Sequence, residues 1–123
     1  MKSVLISIHP KWCELIASGK KTIEVRKTAP KLPTPFKCYI YCTKPKMITK
    51  KVIGEFVCDL IGFHPGTDVP SSCVPIEELK KYANGKMLAR WHISDVKIYD
   101  QPRELRDFGK KRPPQSWCYV DAE

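Results

Sequence analysis

The sequence predicts an α+β fold, a mixed β-barrel of about six short strands with two or three short helices plugging its ends. Three observations carry this. Strand-like segments outnumber helical ones and are separated by turns rather than regularly by helices, which argues against a doubly wound parallel sheet. Only residues 10–18 and 76–83 combine helical spacing with recognisable ends. A chain of 123 residues with 42% hydrophobic content has room for one compact domain, residues 1–123, around one core.

The elements follow in order. Ser3 to Ile8 alternates weakly and is β-branched, a first strand broken by His9 and Pro10. Pro10 suits a first helical position, Glu14 is expected in the first turn, and Trp12, Cys13, Leu15 and Ile16 repeat at helical spacing. Gly19 supplies a left-handed stop, so a helix runs from about 10 to 18. Lys21 to Lys27 alternates, with Ile23 and Val25 on one face and Thr22, Glu24 and Arg26 on the other. Prolines at 30, 33 and 35 lack amide donors, so residues 29–35 form a basic loop. Phe36 to Cys42 is a strand with Cys38, Ile40 and Cys42 on one face and Tyr39 and Tyr41 on the other; Lys51 to Gly62 is another. A loop at 63–74 leads to a helix over Ile76 to Ala83, with Glu77 and Glu78 at its start, Lys80 and Lys81 near its end, and Asn84-Gly85 stopping it. Met87 to Tyr99 is a bent strand, Pro102 to Phe108 a helical turn, and Ser116 to Val120 the last strand.

Composition narrows the function classes. No apolar run approaches the roughly 20 residues that cross a bilayer, and the N-terminus has no long apolar core followed by a cleavage site, so a cytoplasmic location without membrane contact is expected. In that compartment the six cysteines, at 13, 38, 42, 58, 73 and 118, stay reduced. Cys38 and Cys42 lack paired CxxC knuckles, and His9, His64 and His92 are scattered, so no metal is expected. With no P-loop and no dinucleotide fingerprint, no cofactor is expected either. Charge says more. Residues 1–54 carry 12 Lys/Arg against two acids, and residues 55–123 carry 10 against 11. Such asymmetry favours a phosphate-bearing partner.

The most informative segment is Gly19 to Arg26. Residues two apart on a strand face one way at a spacing of about 7 Å, so Glu24 and Arg26 can meet a ligand in the angle between helix and strand, with Lys21 at its lip. Lysine and arginine there suit phosphate or carboxylate recognition, and a glutamate accepts from a base amine or holds the lysine. An exposed Glu–Arg pair on a solvated sheet face is the plain alternative. Trp12 and Trp117 are candidates for base stacking, in competition with the core; Tyr39 and Tyr41 offer a stacking platform or a half-buried sheet surface. Gln115 and Ser116, after two prolines, offer polar groups to a ligand edge.

Gly19, Lys21, Glu24 and Arg26 match the GxKxxExR signature of the ASCH domain. The lead-in from Ser7 to Trp12 with Leu15-Ile16 is similar to that family's strand–helix entry. Residues 36–60 and 87–120, especially Trp91-His92-Ile93-Ser94-Asp95 and Pro113 to Val120, resemble short bacterial and phage-encoded members, so the likeness covers nearly the whole chain. It implies a PUA-like barrel with a basic cleft between the first helix and the barrel, and RNA, a nucleotide or a modified nucleoside as partner. Some small members resemble hydrolases: one group deacetylates acetylated cytidine with a lysine at the signature position, a threonine three residues on and a later glutamate, and another member is a ribonuclease. This chain keeps Lys21 but has Glu24 in place of that threonine, and the later glutamate is not assigned between Glu77 and Glu78. The expected ligand-binding set is Lys21, Glu24, Arg26, Lys11, Trp12, Gln115, Ser116 and Trp117. For an enzyme, Lys21 would act as base or nucleophile and Glu24 would orient it or relay a proton. Three classes therefore stand: an RNA- or nucleotide-binding module, a small hydrolase acting on an N4-acylated cytidine or on RNA, and a protein-interaction domain.

Overall fold

A computed structural model describes residues 2–43 and 51–121. The elements are β1 (Lys2–Ile8), α1 (Pro10–Ala17), β2 (Ile23–Arg26), β3 (Phe36–Cys42), β4 (Val52–His64), α2 (Ile76–Ala83), β5 (Leu88–Arg103) and β6 (Trp117–Asp121), with 3₁₀ turns at Pro70–Ser72 and Leu105–Phe108. All six strands join one mixed sheet in the order β2-β5-β4-β3-β1-β6. Only β1 and β3 run parallel; β1–β6, β2–β5, β3–β4 and β4–β5 are antiparallel. Lys44, Lys46 and Lys50, part of the positive excess in the first half of the sequence, lie outside the described residues.

Burial explains the strand patterns. Strand β1 sits between β3 and β6 and is covered on both faces, so Val4 to Ile8 read as a nearly continuous buried run with little alternation. One face of β1 and β3 gives Val4, Ile6, Ile8, Cys38 and Ile40 to the main core, where they meet Cys13 and Ile16 of α1 and Phe56 and Trp91 of the long hairpin. The opposite face gives Leu5, Tyr39 and Tyr41 to a second cluster roofed by Phe108 of the second 3₁₀ turn. A third cluster packs Leu79 and Ala83 of α2 on Ile23 and Val25 of β2. The main core thus holds α1 against β1, β3 and β5, while the third cluster holds α2 against β2.

Two features differ from the sequence expectations. Glu14 lies one turn further into α1 than expected, and the first turn carries no acidic residue. Strand β5 continues through Pro102 and Arg103, where a helical turn was expected, and Arg103 pairs with Val52 of β4. Strand β2 pairs only with residues 89–92 of β5, so among the described residues the distal part of β5 has a free edge on which a residue without an amide donor is tolerated. The β4–β5 register also shifts between Val52 and Gly54, and a Cβ on Gly54 would lie 2.5 Å from the Lys97 carbonyl oxygen. Only glycine allows that approach.

His64, at the end of β4, is buried, and its Nδ1 lies 3.5 Å from Thr67 Oγ1. Burial, with the nearby Arg90 guanidinium, pushes its pKa below the ordinary value of 6.5. The unfolded chain therefore binds a proton that the folded chain resists, and stability present above about pH 6.5 is lost as pH falls through the folded pKa. Thermal unfolding of the wild type should show a lower Tm at about pH 5 than at about pH 7.5. The gap should narrow in His64→Leu; an unchanged gap would place the acid sensitivity elsewhere.

Candidate nucleic-acid interface

The signature segment is positioned by its backbone. Gly19 takes φ +83°, a conformation that costs glycine nothing, and the chain reverses after α1. The Lys21 amide donates to Leu15 O at 3.0 Å, the Thr22 amide donates to Ser71 O at 2.9 Å, and Thr22 O accepts from the Ile93 amide at 2.9 Å. These bonds send the Lys21 side chain inward, between α1 and the first 3₁₀ turn. Lys21 is only 2% exposed, so the ammonium is not at the lip of the angle as expected. It donates to Ser72 O at 2.6 Å, lies 3.2 Å from Glu24 Oε1 and sits 5.0 Å from the centre of the Trp12 ring. Ser72 is fully buried, its hydroxyl donating to Val69 O at 2.6 Å and accepting from the Val74 amide at 3.2 Å.

Arg26 holds the other carboxylate oxygen, its Nε donating to Glu24 Oε2 at 2.7 Å. One terminal nitrogen donates to Ser116 O at 3.2 Å and to Ser116 Oγ at 3.1 Å, and the other donates to Ser7 O at 2.7 Å. Strand β2 is one edge of the sheet, while β1 and the residue before β6 belong to the opposite end. The Arg26 guanidinium therefore spans the seam between the two ends of the sheet, which strand pairing leaves open. A planar fork with five N–H donors suits this geometry in a way a lysine ammonium does not.

Two hollows open on either side of Trp12. The first, about 370 Å³, is bounded by Trp12, Lys21, Glu24, Glu78, Lys81 and Tyr82. The second, about 340 Å³, is bounded by Ser7, His9, Trp12, Arg26, Thr43 and Gln115, with Glu24 again on its wall. Trp12 and Glu24 border both hollows; Lys21 borders only the first and Arg26 only the second. The walls are thus charge-balanced rather than basic, because each buried cation lies against a carboxylate. Lysines sit at the rim instead: exposed Lys11 places Nζ 4.6 Å from the centre of the Trp12 ring, and Lys27 places Nζ 4.9 Å from that of Tyr82.

The structure brings together Lys11, Trp12, Lys21, Glu24, Arg26 and Gln115, and holds Ser116 beneath Arg26. Trp117 lies away from both hollows: its indole N–H donates to Thr28 Oγ1 at 3.0 Å, and its ring meets Trp91 and Tyr119 edge-on at 5.8 and 5.3 Å. Tyr39 and Tyr41 are buried, with Tyr39 against Phe108 at 4.7 Å, and so form no stacking platform. Sequence reasoning missed Ser72, His9, Thr43 and Tyr82, and left Glu78 unresolved. The spacing of Glu78 and Tyr82, four residues apart on one helix face, was the available signal; for Ser72 there was none. His9 Nδ1 lies 3.2 Å from Thr43 Oγ1 at the edge of the second hollow.

The six cysteines are free thiols. Burial and then the neighbouring Cys42 push the Cys13 thiol far above the ordinary range, which disfavours its thiolate. Among the described residues no three His, Cys, Asp or Glu side chains come together as metal ligands, and no helix is long and apolar enough to cross a membrane.

The ASCH domain family matches residues 6–120. The chain is a member of the ASCH domain family. A curated relative, an ASCH domain-containing ribonuclease from Zymomonas mobilis, is 40% identical over 53 residues, which is 43% of this chain and 34% of that protein. The match thus spans about a third of the relative's length. Among solved structures, a tyrosine-to-phenylalanine variant of the Zymomonas mobilis ASCH protein superposes with a TM-score of 0.81 at 24% identity, covering 98% of this chain and 91% of that one. A serine-to-alanine variant of the same protein gives a TM-score of 0.79 at 25% identity, covering 97% and 88%. The six-stranded mixed sheet with two helices matches these structures and agrees with a PUA-like, barrel-like ASCH fold.

Removing Glu24 leaves buried Lys21 and half-buried Arg26 without their common counter-charge. Glu24→Ala should lower the unfolding free energy in urea by about 3–5 kcal/mol, the usual cost of breaking a buried pair from one side. A loss under about 1 kcal/mol would show that the network carries little of the fold.

Proposed function

We propose that this ASCH domain binds single-stranded RNA along the cleft between α1 and α2, with bases against Trp12 and Tyr82 and phosphates at Lys11, Lys27 and Lys81. One observation carries the reading: two incompletely buried aromatic rings border the same nucleotide-sized hollow, and each has a lysine ammonium over its face. A π-face for a base beside a cation for its phosphate is the pairing that sequence-tolerant single-strand binding uses. In this reading Lys21, Glu24 and Arg26 shape the cleft. The partners of Lys21 and Arg26 are already within the protein, so the two residues are poorly placed to meet phosphate. Six free thiols suit a reducing, cytoplasmic setting.

A second reading, RNA cleavage, is favoured by the name of the curated relative. Lys21 and Glu24 remain its first candidates. The hydrogen bond and ion pair that hold Lys21 oppose its service as a base.

Binding of short RNAs over a range of salt concentrations tests the proposal. Wild type should bind with a steep salt dependence. Trp12→Leu and Tyr82→Leu should each weaken binding by roughly 5- to 100-fold, the range for one stacked base. Lys11→Ala or Lys81→Ala should reduce the salt slope by about 0.7. Binding that ignores all four substitutions, or no binding by wild type, would overturn the proposal. Product appearing from intact RNA, and lost in Lys21→Met, would move the account to the second reading.

A further inference from the structure

The first hollow has four charged side chains on its wall, and they are not equivalent. Lys21 and Glu24 are buried and engaged with each other, and Glu24 has one cation on each oxygen. Glu78 and Lys81 are exposed, and among the described residues neither is seen in an ion pair or side-chain hydrogen bond. Glu78 belongs to the first turn of α2, and Tyr82 follows it by four residues on the same face. The Glu78 carboxylate therefore shares the hollow that a base lying against Tyr82 or Trp12 would occupy.

A carboxylate only accepts hydrogen bonds. Guanine alone among the four RNA bases presents two neighbouring donors on one edge, N1–H and the 2-amino group, which match the two oxygens of a carboxylate. Adenine and cytosine place a ring-nitrogen acceptor beside their amino group, and uracil places its N3–H between two carbonyls. Each of these sets a lone pair against the carboxylate. We infer that Glu78 is the base-reading residue of the first hollow and selects guanine, with Lys81 beside it for the adjoining phosphate. This inference rests on the RNA-binding reading above and names the base preference of that site.

The test uses the full chain and four six-nucleotide RNAs: all-uridine, and all-uridine with one central guanosine, adenosine or cytidine. Wild type should bind the guanosine RNA about 10-fold more tightly than the other three, the discrimination a good bidentate pair provides. A fifth RNA carrying inosine, which lacks the 2-amino group, should bind like the all-uridine strand. Glu78→Gln, an exposed substitution, should abolish the guanosine advantage, so that the guanosine RNA binds no more tightly than the all-uridine strand. Equal affinity for all the RNAs, or a guanosine preference that survives Glu78→Gln, overturns the inference. If the all-uridine strand still binds and depends on Trp12, that failure leaves the RNA-binding reading standing; if no strand binds, both fall.

Discussion

A carboxylate almost out of reach of water, Glu24, holds the Lys21 ammonium on one oxygen and the Arg26 guanidinium on the other, at 3.2 and 2.7 Å. The two cations then reach outward to the backbone of three separate elements: Ser72 in the first 3₁₀ turn, Ser7 in β1 and Ser116 ahead of β6. Because β2 and β6 are opposite edges of the sheet, this one network takes the place of the strand pairing that would close the barrel. An ion network buried to this degree gains little by charge alone, since desolvation offsets most of the attraction. Its contribution is geometric: it fixes where β2, the first 3₁₀ turn, β1 and the loop before β6 stand relative to one another.

The cleft inherits its character from that arrangement. Two cations sharing one carboxylate can be buried only because carbonyl oxygens satisfy their remaining donors, and this leaves the walls nearly neutral. At the cleft, exposed positive charge sits on Lys81 of the wall and on the rim lysines Lys11 and Lys27, which lean over Trp12 and Tyr82. The proposed stacking and phosphate contact would use these aromatic faces and this basic rim. The wall carboxylates differ in kind, because Glu24 is saturated by the fold while Glu78 faces the opening.

Much of this was legible in the residues, for local reasons. The alternation in Phe36–Cys42 and the charge order and stop signal of Ile76–Ala83 set those elements to the residue, and the left-handed Gly19 marked the end of α1. The grouping of Lys21, Glu24 and Arg26 followed from strand periodicity and the family signature. What the sequence hid was long-range. Nothing near Lys21 indicates that Ser72, fifty-one positions away, supplies its carbonyl partner, so the amine reads as exposed when it is buried. Trp117 reads from the sequence as either a base-stacking or a core residue; in the fold its indole N–H and that of Trp91 both turn to Thr28 and anchor the proline-rich loop. Pro102 reads as a helix start because the short reach of β2, which frees that edge of β5, is a property of the assembled sheet.

Nuclear magnetic resonance of isotope-labelled chain during titration with a six-nucleotide RNA tests most directly whether the buried network is scaffold and the aromatic rim is the contact surface. The account predicts that the Trp12 indole resonance moves as RNA is added, while the Arg26 Nε–H resonance keeps its position and its protection from solvent exchange. A stationary Trp12 with an Arg26 signal that shifts or begins to exchange would contradict it, because the guanidinium would then have left Glu24 for the ligand.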